Sequence, residues 1–256
     1  MITSVSNEKI KEIEALLKKP SLRKERGLFV VEGIKQVGEI PETMIEKVYV
    51  SESFAASHKL SYDEIVSDKV FARMSDTQTP QGILALVKMM HYELPELVDQ
   101  AAKTPGAFLI LERLQDPGNL GTVLRSAEGA GITAVIMDED TVDIYNPKVV
   151  RSTMGSVYRV PFVISGDLKA DVTYLKQHGV SVYAAHLKGT VDYDHMDYLK
   201  AAAFMIGNES QGLSEALAEM ADHYIKIPML GRVESLNAAV AASLLSYELA
   251  RQRRNA

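Results

Sequence analysis

Three segments in the C-terminal half of the chain combine residue types that can build a ligand site. Each follows an apolar run of strand length, breaks at glycine or proline, exposes asparagine or glutamate, and then enters a helical pattern. They span residues 116–125, 206–214 and 227–239. Turns that leave one sheet at the same edge converge where α/β folds place their ligands, so the three segments together predict a site.

The first segment offers a guanidinium group for anion binding. Arg125 lies one helical turn above Gly121. Because Gly121 has no side chain, a phosphate or a ribose can approach the guanidinium closely. The alternative is an ordinary surface arginine, paired with Glu128 or Glu112.

The second segment places an acidic side chain between two glycines. Gly207 and Gly212 both allow backbone conformations closed to other residues, and Ser214 is typical of a helix cap. Glu209, which lies between them, is either a ligand contact or a local latch on backbone N–H groups. A lone glutamate in a loop bounded by glycines favours the latch.

The third segment leaves its strand as a hydrophobic loop, residues 227–231. Ser235 is predicted to cap the final helix, with Asn237 in its first turn. An apolar loop beside a helix N-terminus fits an adenine and a charged methionine moiety. The alternative is a loop that simply packs into the core.

Composition narrows the class of protein. The chain has 256 residues, 46% of them hydrophobic and 24% charged, which is enough for one large domain or two moderate ones. We expect no membrane span, because no apolar run approaches the roughly 20 residues that a spanning helix needs. The absence of cysteine predicts a cytoplasmic protein and excludes disulfides, thiolate metal sites and a cysteine nucleophile.

The charge distribution is compatible with RNA although the net charge is −6. Residues 18–26 carry five basic residues against one acid, and the chain ends with Arg251, Arg253 and Arg254 in close succession. Such local patches can contact phosphates. The alternative is that they are solvated helix ends.

Apolar periodicity predicts a smaller α/β domain over residues 1–88, a linker over 89–106 and a second domain over 107–256. In the second domain, strands alternating with helices predict a mostly parallel sheet. The last helix is apolar nearly all round, which favours a homodimer interface over a wholly intramolecular core. The predicted strands are 28–31, 47–50, 83–87, 107–111, 133–137, 180–185, 202–206 and 223–227, and the predicted helices are 4–18, 119–131, 168–177, 213–221 and 235–251.

Two other motifs in the sequence do not predict a site once the residues around them are considered. Gly129 and Gly131 match the letters of a dinucleotide fingerprint, but they stand at a helix end before a strand, which disfavours a nucleotide-dependent oxidoreductase. We interpret them as a helix stop. The polar loop around His195 has no second histidine at ligand spacing, so no metal site is predicted.

At the three segments the sequence resembles the SpoU (TrmH-type) family of RNA 2′-O-ribose methyltransferases, within the SPOUT class. The residues that carry the resemblance are Asp116-Pro117-Gly118-Asn119-Leu120-Gly121 with Arg125, Gly207-Asn208-Glu209, and Ser235-Leu236-Asn237. Where the family often continues with Gly-Glu-Gly, this chain has Ser210-Gln211-Gly212, which puts only the loop geometry in doubt. Residues 1–88 resemble the family's L30e-like substrate-binding domain.

The resemblance implies an α/β fold whose mostly parallel sheet threads a C-terminal trefoil knot, an exception to unknotted folds. It also implies an obligate homodimer that binds S-adenosylmethionine without a metal. Carried over by position, the catalytic residues are Arg125, Glu209, Ser235 and Asn237, with Asn119 in support. The implied cofactor-binding residues are Leu187, Gly189, Gly207, Ile227, Met229 and Leu236.

The implied reaction is methyl transfer to a ribose 2′-hydroxyl of RNA. Arg125 would bind the adjacent phosphate and stabilise the developing alkoxide, since an ordinary arginine does not lose its proton. The proton acceptor stays unassigned. Ribosomal RNA is the preferred substrate because the N-terminal domain resembles a ribosomal-protein fold, and transfer RNA is the alternative. A non-catalytic RNA-binding protein is disfavoured by intact Arg125, Glu209 and Asn237.

Overall fold

The computed structural model describes residues 1–101 and 104–256, which form two units. The first unit comprises Met1–Met90 with Asp143–Tyr158, and the second comprises His91–Val142 with Arg159–Ala256. Of the predicted linker 89–106, residues 102 and 103 lie outside the described residues. No helix in the described part of the chain is long and apolar enough to cross a membrane.

The first unit is a four-stranded sheet with helices packed on it. The strand order is β1-β4-β2-β3, with β4 antiparallel to both β1 and β2, and β3 parallel to β2. Numbered along the whole chain, its elements are β1 (Leu28–Glu32), β2 (Ile45–Ser51), β3 (Glu64–Val66), β4 (Ile83–Lys88), α1 (Glu8–Lys18), α2 (Pro20–Arg26), α3 (Ile34–Gly38), α4 (Glu52–Ser57), α5 (Asp68–Met74) and α8 (Pro147–Thr153).

The first helix shows how the sequence pattern builds this unit. Asn7 caps α1 by accepting a hydrogen bond from the backbone N–H of Lys9, so the helix begins later than the predicted residue 4. Ile10, Ile13 and Leu16 recur on one face of α1 and are fully buried in the core of the unit. Burying three such side chains contributes roughly 1.5–3 kcal/mol each.

Residues 143–158 pack in the first unit, although the sequence analysis places them within 107–256. Arg23, which is 2% exposed, binds the Asp143 carboxylate through its guanidinium and also donates to the Leu16 carbonyl. The Tyr145 ring lies 4.6 Å from that of Phe29. Arg23 was predicted to belong to an RNA-binding basic patch, but it is a buried structural residue.

The second unit contains a seven-stranded sheet in which every pairing is parallel, with strand order β7-β6-β5-β10-β8-β11-β9. The predicted parallel sheet is therefore confirmed. Its elements are β5 (Ala107–Leu111), β6 (Ala134–Asp138), β7 (Phe162–Ser165), β8 (Ser181–Ala185), β9 (Val191–Asp192), β10 (Ala202–Ile206), β11 (His223–Lys226), α6 (Leu94–Gln100), α7 (Pro117–Ala130), α9 (Leu168–Gln177), α10 (Glu215–Ala218) and α11 (Ala238–Arg254).

The C-terminal arginines are largely structural. Arg253 donates hydrogen bonds to four backbone carbonyls, those of Tyr198, Lys200, Pro105 and Gly106, at the amino-terminal ends of β5 and β10. Burial lowers the pKa of this guanidinium. Arg251 pairs with Glu248 on its own helix. The prediction of a C-terminal basic patch for RNA is therefore wrong for Arg253, whose donors are engaged within the fold.

Candidate active site

The three segments follow β5, β10 and β11, which belong to one sheet. β5 and β10 are paired, and β8 and β11 follow in order beside them. Because all four strands run parallel, their carboxyl ends lie at one edge. The loops that follow β5, β10 and β11 are the predicted segments, and the loop after β8 contains Leu187 and Gly189.

Glu209 joins the second segment to the first. Its carboxylate accepts hydrogen bonds from the backbone N–H groups of Gln115 and Asp116, at 3.3 and 3.2 Å, and from Nδ2 of Asn119 at 3.0 Å. Burial opposes ionisation of Glu209, but the hydrogen bonds from Asn119 and these backbone groups outweigh it and lower the pKa. A carboxylate with a lowered pKa and three donors is a latch and a weak proton acceptor.

Asn119 also joins the first segment to the third. Its Oδ1 accepts a hydrogen bond of 2.9 Å from Nδ2 of Asn237. Asn237 is itself the cap of α11, because its Oδ1 accepts from the backbone N–H groups of Ala239 and Val240. The prediction that Ser235 caps this helix is therefore wrong. Ser235 is exposed and makes no hydrogen bond within the described residues.

Helices α7 and α11 run parallel from this site. Besides the Asn119–Asn237 contact, Ser126 and Ser243 share a hydrogen bond of 2.6 Å. Farther along, a Cβ built on Gly129 would lie 2.4 Å from the hydroxyl of Tyr247. The contacts advance in the same direction on both helices, so both N-termini lie at the site. Sequence reasoning did not detect this pairing, since the two helices are far apart in the chain.

Arg125 presents an exposed guanidinium on α7. Of its predicted partners, Glu128 pairs with Arg159 and Glu112 binds Ser214 and Arg113. Within residues 1–101 and 104–256, Arg125 has no hydrogen bond or ion pair. The alternative of a paired surface arginine is therefore wrong, and Arg125 is available to an anion.

Sequence reasoning missed Arg113, which holds two of the loops through its backbone. Its N–H donates to both carboxylate oxygens of Asp138 at 3.0 Å, and its carbonyl accepts from Nδ2 of Asn208 at 2.8 Å. Arg113 also has φ +54°, a conformation uncommon outside glycine. In the sequence, the only hint of this role is Asp138, which directly follows the predicted strand 133–137.

The residues assigned to a cofactor divide into two kinds. Gly189 and Gly207 lie against neighbouring backbone: a Cβ on Gly207 would be 2.1 Å from the carbonyl carbon of Gly212, and one on Gly189 would be 2.6 Å from that of Ile225. Gly212 has φ +69° as expected, but Gly207 does not have a positive φ, so close approach is what requires glycine there. The predicted reason for a glycine at position 207 is therefore wrong.

The other residues assigned to the cofactor lie on exposed loops, one of which has backbone N–H and C=O groups without partners among the described residues. Residues 228–236 make no backbone hydrogen bond within the described part of the chain. Leu187 is 69% exposed and Leu230 is fully exposed, while Ile227, Met229 and Leu236 are half-buried. Apolar side chains beside free N–H and C=O groups fit a ligand with an aromatic ring and polar substituents. No cluster of three or more metal-ligating side chains occurs among the described residues.

The lowered pKa of Glu209 predicts a pH-dependent stability. Its hydrogen bonds stabilise the fold fully above the ordinary pKa of 4.5, and this stabilisation is lost as pH falls through the lower pKa of the folded state. We expect Glu209→Gln to destabilise the protein at pH 7, with the difference from wild type shrinking below pH 4.5. Urea unfolding across this range measures it, and a difference independent of pH would contradict the ionised latch.

Comparisons with known proteins identify the family. Residues 106–247 match the SpoU rRNA Methylase family, and residues 7–85 match the MRM3-like substrate binding domain. The chain is 33% identical to the 23S rRNA (guanosine(2553)-2′-O)-methyltransferase RlmP of Bacillus subtilis over 97% of this chain and 98% of that one.

Two solved structures are similar over nearly their full lengths. The AdoMet-bound rRNA methyltransferase from Sinorhizobium meliloti has a TM-score of 0.85 at 30% identity, covering 98% of this chain and 97% of that one. The SpoU methyltransferase AviRb from Streptomyces viridochromogenes has a TM-score of 0.85 at 25% identity, covering 97% and 98%.

Proposed function

Because the chain belongs to the SpoU rRNA methylase family, we propose that it methylates a ribose 2′-hydroxyl of ribosomal RNA with S-adenosylmethionine. One observation carries the proposal. Glu209, Asn119 and Asn237, from three separate segments, are connected by hydrogen bonds at one sheet edge. Helix α7, which begins there, presents Arg125, which has no partner among the residues that the structure describes.

The cofactor would be held by Leu187, Gly189, Gly207, Ile227, Met229 and Leu236. When bound, S-adenosylmethionine would supply an electrophilic methyl group to the ribose 2′-oxygen, leaving S-adenosylhomocysteine and a released proton. The free backbone groups of residues 228–236 supply donors and acceptors without a charged side chain. The exposed side chains of Leu187 and Leu230, on two of the loops at this sheet edge, support the binding of a small aromatic ligand here.

Arg125 would bind the phosphate next to the reacting ribose. Its planar guanidinium can hold two phosphate oxygens while it stabilises negative charge that develops on the 2′-oxygen. Arginine does not accept the proton, and the lowered pKa of Glu209 makes that carboxylate a poor acceptor too. Glu209, Asn119 and Asn237 instead hold the loops in register, and exposed Ser235 is available to contact the substrate.

Ribosomal RNA is supported by the relatives that match over nearly the whole chain. The guanosine named for the Bacillus subtilis enzyme is the first position to examine. We assign the first unit, which contains residues 1–88 and also 143–158, to RNA binding, and the second unit, which contains the rest of 107–256, to methyl transfer. The predicted linker 89–106 falls within the second unit from His91 onward. An enzyme of this kind acts where ribosomal RNA is present, in the cytoplasm.

A homodimer and a trefoil knot are part of the proposal. Val240 and Tyr247 on α11 are 45% and 53% exposed, and a second copy would bury the exposed part of both side chains. The close backbone approaches at Gly189 and Gly207 are compatible with a chain threaded through a knot.

Calorimetric titration with S-adenosylmethionine tests the proposal. We expect binding by the wild type and weaker binding by Asn237→Ala, because that change removes both the link to Asn119 and the cap of α11. Asn7→Ala is the matched control, since it removes an asparagine cap from α1 only. Loss of one ribose 2′-O-methyl group from ribosomal RNA in a deletion strain would complete the case. A folded wild type that neither binds the cofactor nor methylates ribosomal RNA would refute it.

A further inference from the structure

The first unit contains a polar pocket at one end of its sheet. β2 ends at Ser51 and β4 begins at Ile83, and Val50 and Ile83 are partners in the sheet. Between the loops at this end lies a cavity of about 680 Å³, including the space open to solvent. Its polar lining comes from Ser51, Ser53, Ser57, His58, Asp68 and Gln81. A cavity of this size accommodates a small planar molecule.

One wall of the pocket is a preorganised aromatic surface. The His58 ring stacks on the buried Phe54 ring, with centroids 4.1 Å apart and planes 6° apart. Nδ1 of His58 lies 2.9 Å from the Ser57 hydroxyl and 3.3 Å from the Phe54 carbonyl, so the ring orientation is held by hydrogen bonds as well as by stacking. His58 is nevertheless exposed, and an immobilised exposed ring is a platform on which a second planar group can stack.

The rest of the lining can hydrogen-bond to a planar polar ligand. Asp68 accepts from the N–H and the hydroxyl of Ser53, at 3.2 and 2.7 Å, and these bonds lower its pKa. An ionised Asp68 accepts hydrogen bonds from imino or amino groups. Gln81 uses its Oε1 on the Ile34 N–H at 2.9 Å, which leaves its amide NH₂ group as a donor.

Unpaired cations flank the pocket along the chain. Lys59 follows His58, Lys69 follows Asp68, and Lys35 follows Ile34. All three lysines are exposed, and none has an ion-pair partner within the part of the chain that the structure describes. A polar pocket with a stacking surface, and with exposed lysines next to its lining residues in the chain, matches the chemistry of a nucleotide, with its planar base and its phosphates.

We propose that this pocket holds an unpaired nucleotide of the RNA substrate, with its base stacked on His58. The inference rests on the proposed function for the identity of the ligand as RNA. It adds a contact outside the methyl-transfer site that selects single-stranded or splayed regions, because a base within a duplex cannot reach the ring. Phosphates on either side of the nucleotide would contact the flanking lysines.

The test is fluorescence anisotropy with a labelled single-stranded RNA of ten adenylates and, in comparison, a blunt RNA duplex of the same length. We expect the full-length protein to prefer the single strand. His58→Ala should weaken binding of the single strand by about 5- to 150-fold, and His58→Tyr should restore most of it, since any aromatic face supports stacking.

His178→Ala is the matched control. The His178 ring lies against that of Tyr174, four residues earlier, with centroids 4.0 Å apart and planes 30° apart, and its Nδ1 binds the Tyr174 carbonyl. This resembles the His58 arrangement, but His178 is the C-cap of α9 in the second unit. We expect this variant to bind RNA like the wild type. Equal losses in both alanine variants, no loss in His58→Ala, no rescue by tyrosine, or no single-strand binding by the wild type would each overturn the proposal. Titration of the same samples with S-adenosylmethionine separates the two proposals. A sample that binds the cofactor but not the single-stranded RNA contradicts this inference without contradicting the proposed methyl transfer.

Discussion

Replacing Arg125 with lysine is expected to lower the rate of methyl transfer to RNA by about 100-fold or more, with little change in affinity for S-adenosylmethionine. The exposed guanidinium of Arg125 has no partner among the described residues, so its donors are free for a phosphate and for the developing alkoxide. Lysine keeps the charge but not the planar fork that binds two oxygens at once. Single-turnover transfer of a labelled methyl group measures the effect, and calorimetry measures cofactor affinity.

Arg254→Lys is the control for Arg125→Lys. Arg254 is exposed on α11 and has no ion pair within residues 1–101 and 104–256, so its replacement should leave the rate unchanged. Near-normal turnover by Arg125→Lys would show that a positive charge is enough at this position. A lower affinity for the cofactor with an unchanged rate would move Arg125 from substrate binding to cofactor binding.

Replacing Gly207 with alanine is expected to remove cofactor binding and to lower the free energy of unfolding by about 3 kcal/mol. The added Cβ would lie 2.1 Å from backbone atoms of Gly212 and Leu213, and backbone cannot yield as a flexible side chain can. The loop from Asn208 to Gly212 would have to open, which breaks their paired backbone hydrogen bonds. Urea unfolding and calorimetric titration measure the two effects.

Gly166→Ala is the control for Gly207→Ala. No atom lies within 4 Å of a Cβ at Gly166, and its φ is not in the left-handed region, so alanine should be neutral or slightly stabilising there. If Gly207→Ala instead retains both stability and cofactor binding, the loop relaxes without loss, and the close approach is not needed for the site.

Local patterns predicted many elements of the second unit well. The strand over 202–206 was predicted with its observed bounds, because five successive apolar residues form a strand buried on both faces of a parallel sheet. Gly131 ends α7 in the left-handed conformation as expected, and Ser214 caps α10. Ser and Asn are both good caps, however, so residue type alone could not choose Asn237 over Ser235.

Short strands with weak local patterns were not predicted. The edge strand Phe162–Ser165 has only four residues, two of them buried, and was not predicted. Strands Glu64–Val66 and Val191–Asp192 are shorter still. Residues 143–158 were assigned by their position in the sequence, but they pack with the first unit, where Asp143 binds Arg23 across 120 residues. A contact over such a separation has no signature in the local pattern.

The sequence by itself determined the family, the parallel sheet and the three segments of the site, because these depend on residue types at short spacing. The tertiary structure decided what joins them. Asn119 reaches Glu209 across 90 residues and Asn237 across 118, and these bonds form only because the sheet order places their loops at one edge. It also decided that Arg125 has no partner in the described part of the chain while Arg23 and Arg253 are engaged, since the availability of a charged group depends on the residues that folding brings around it.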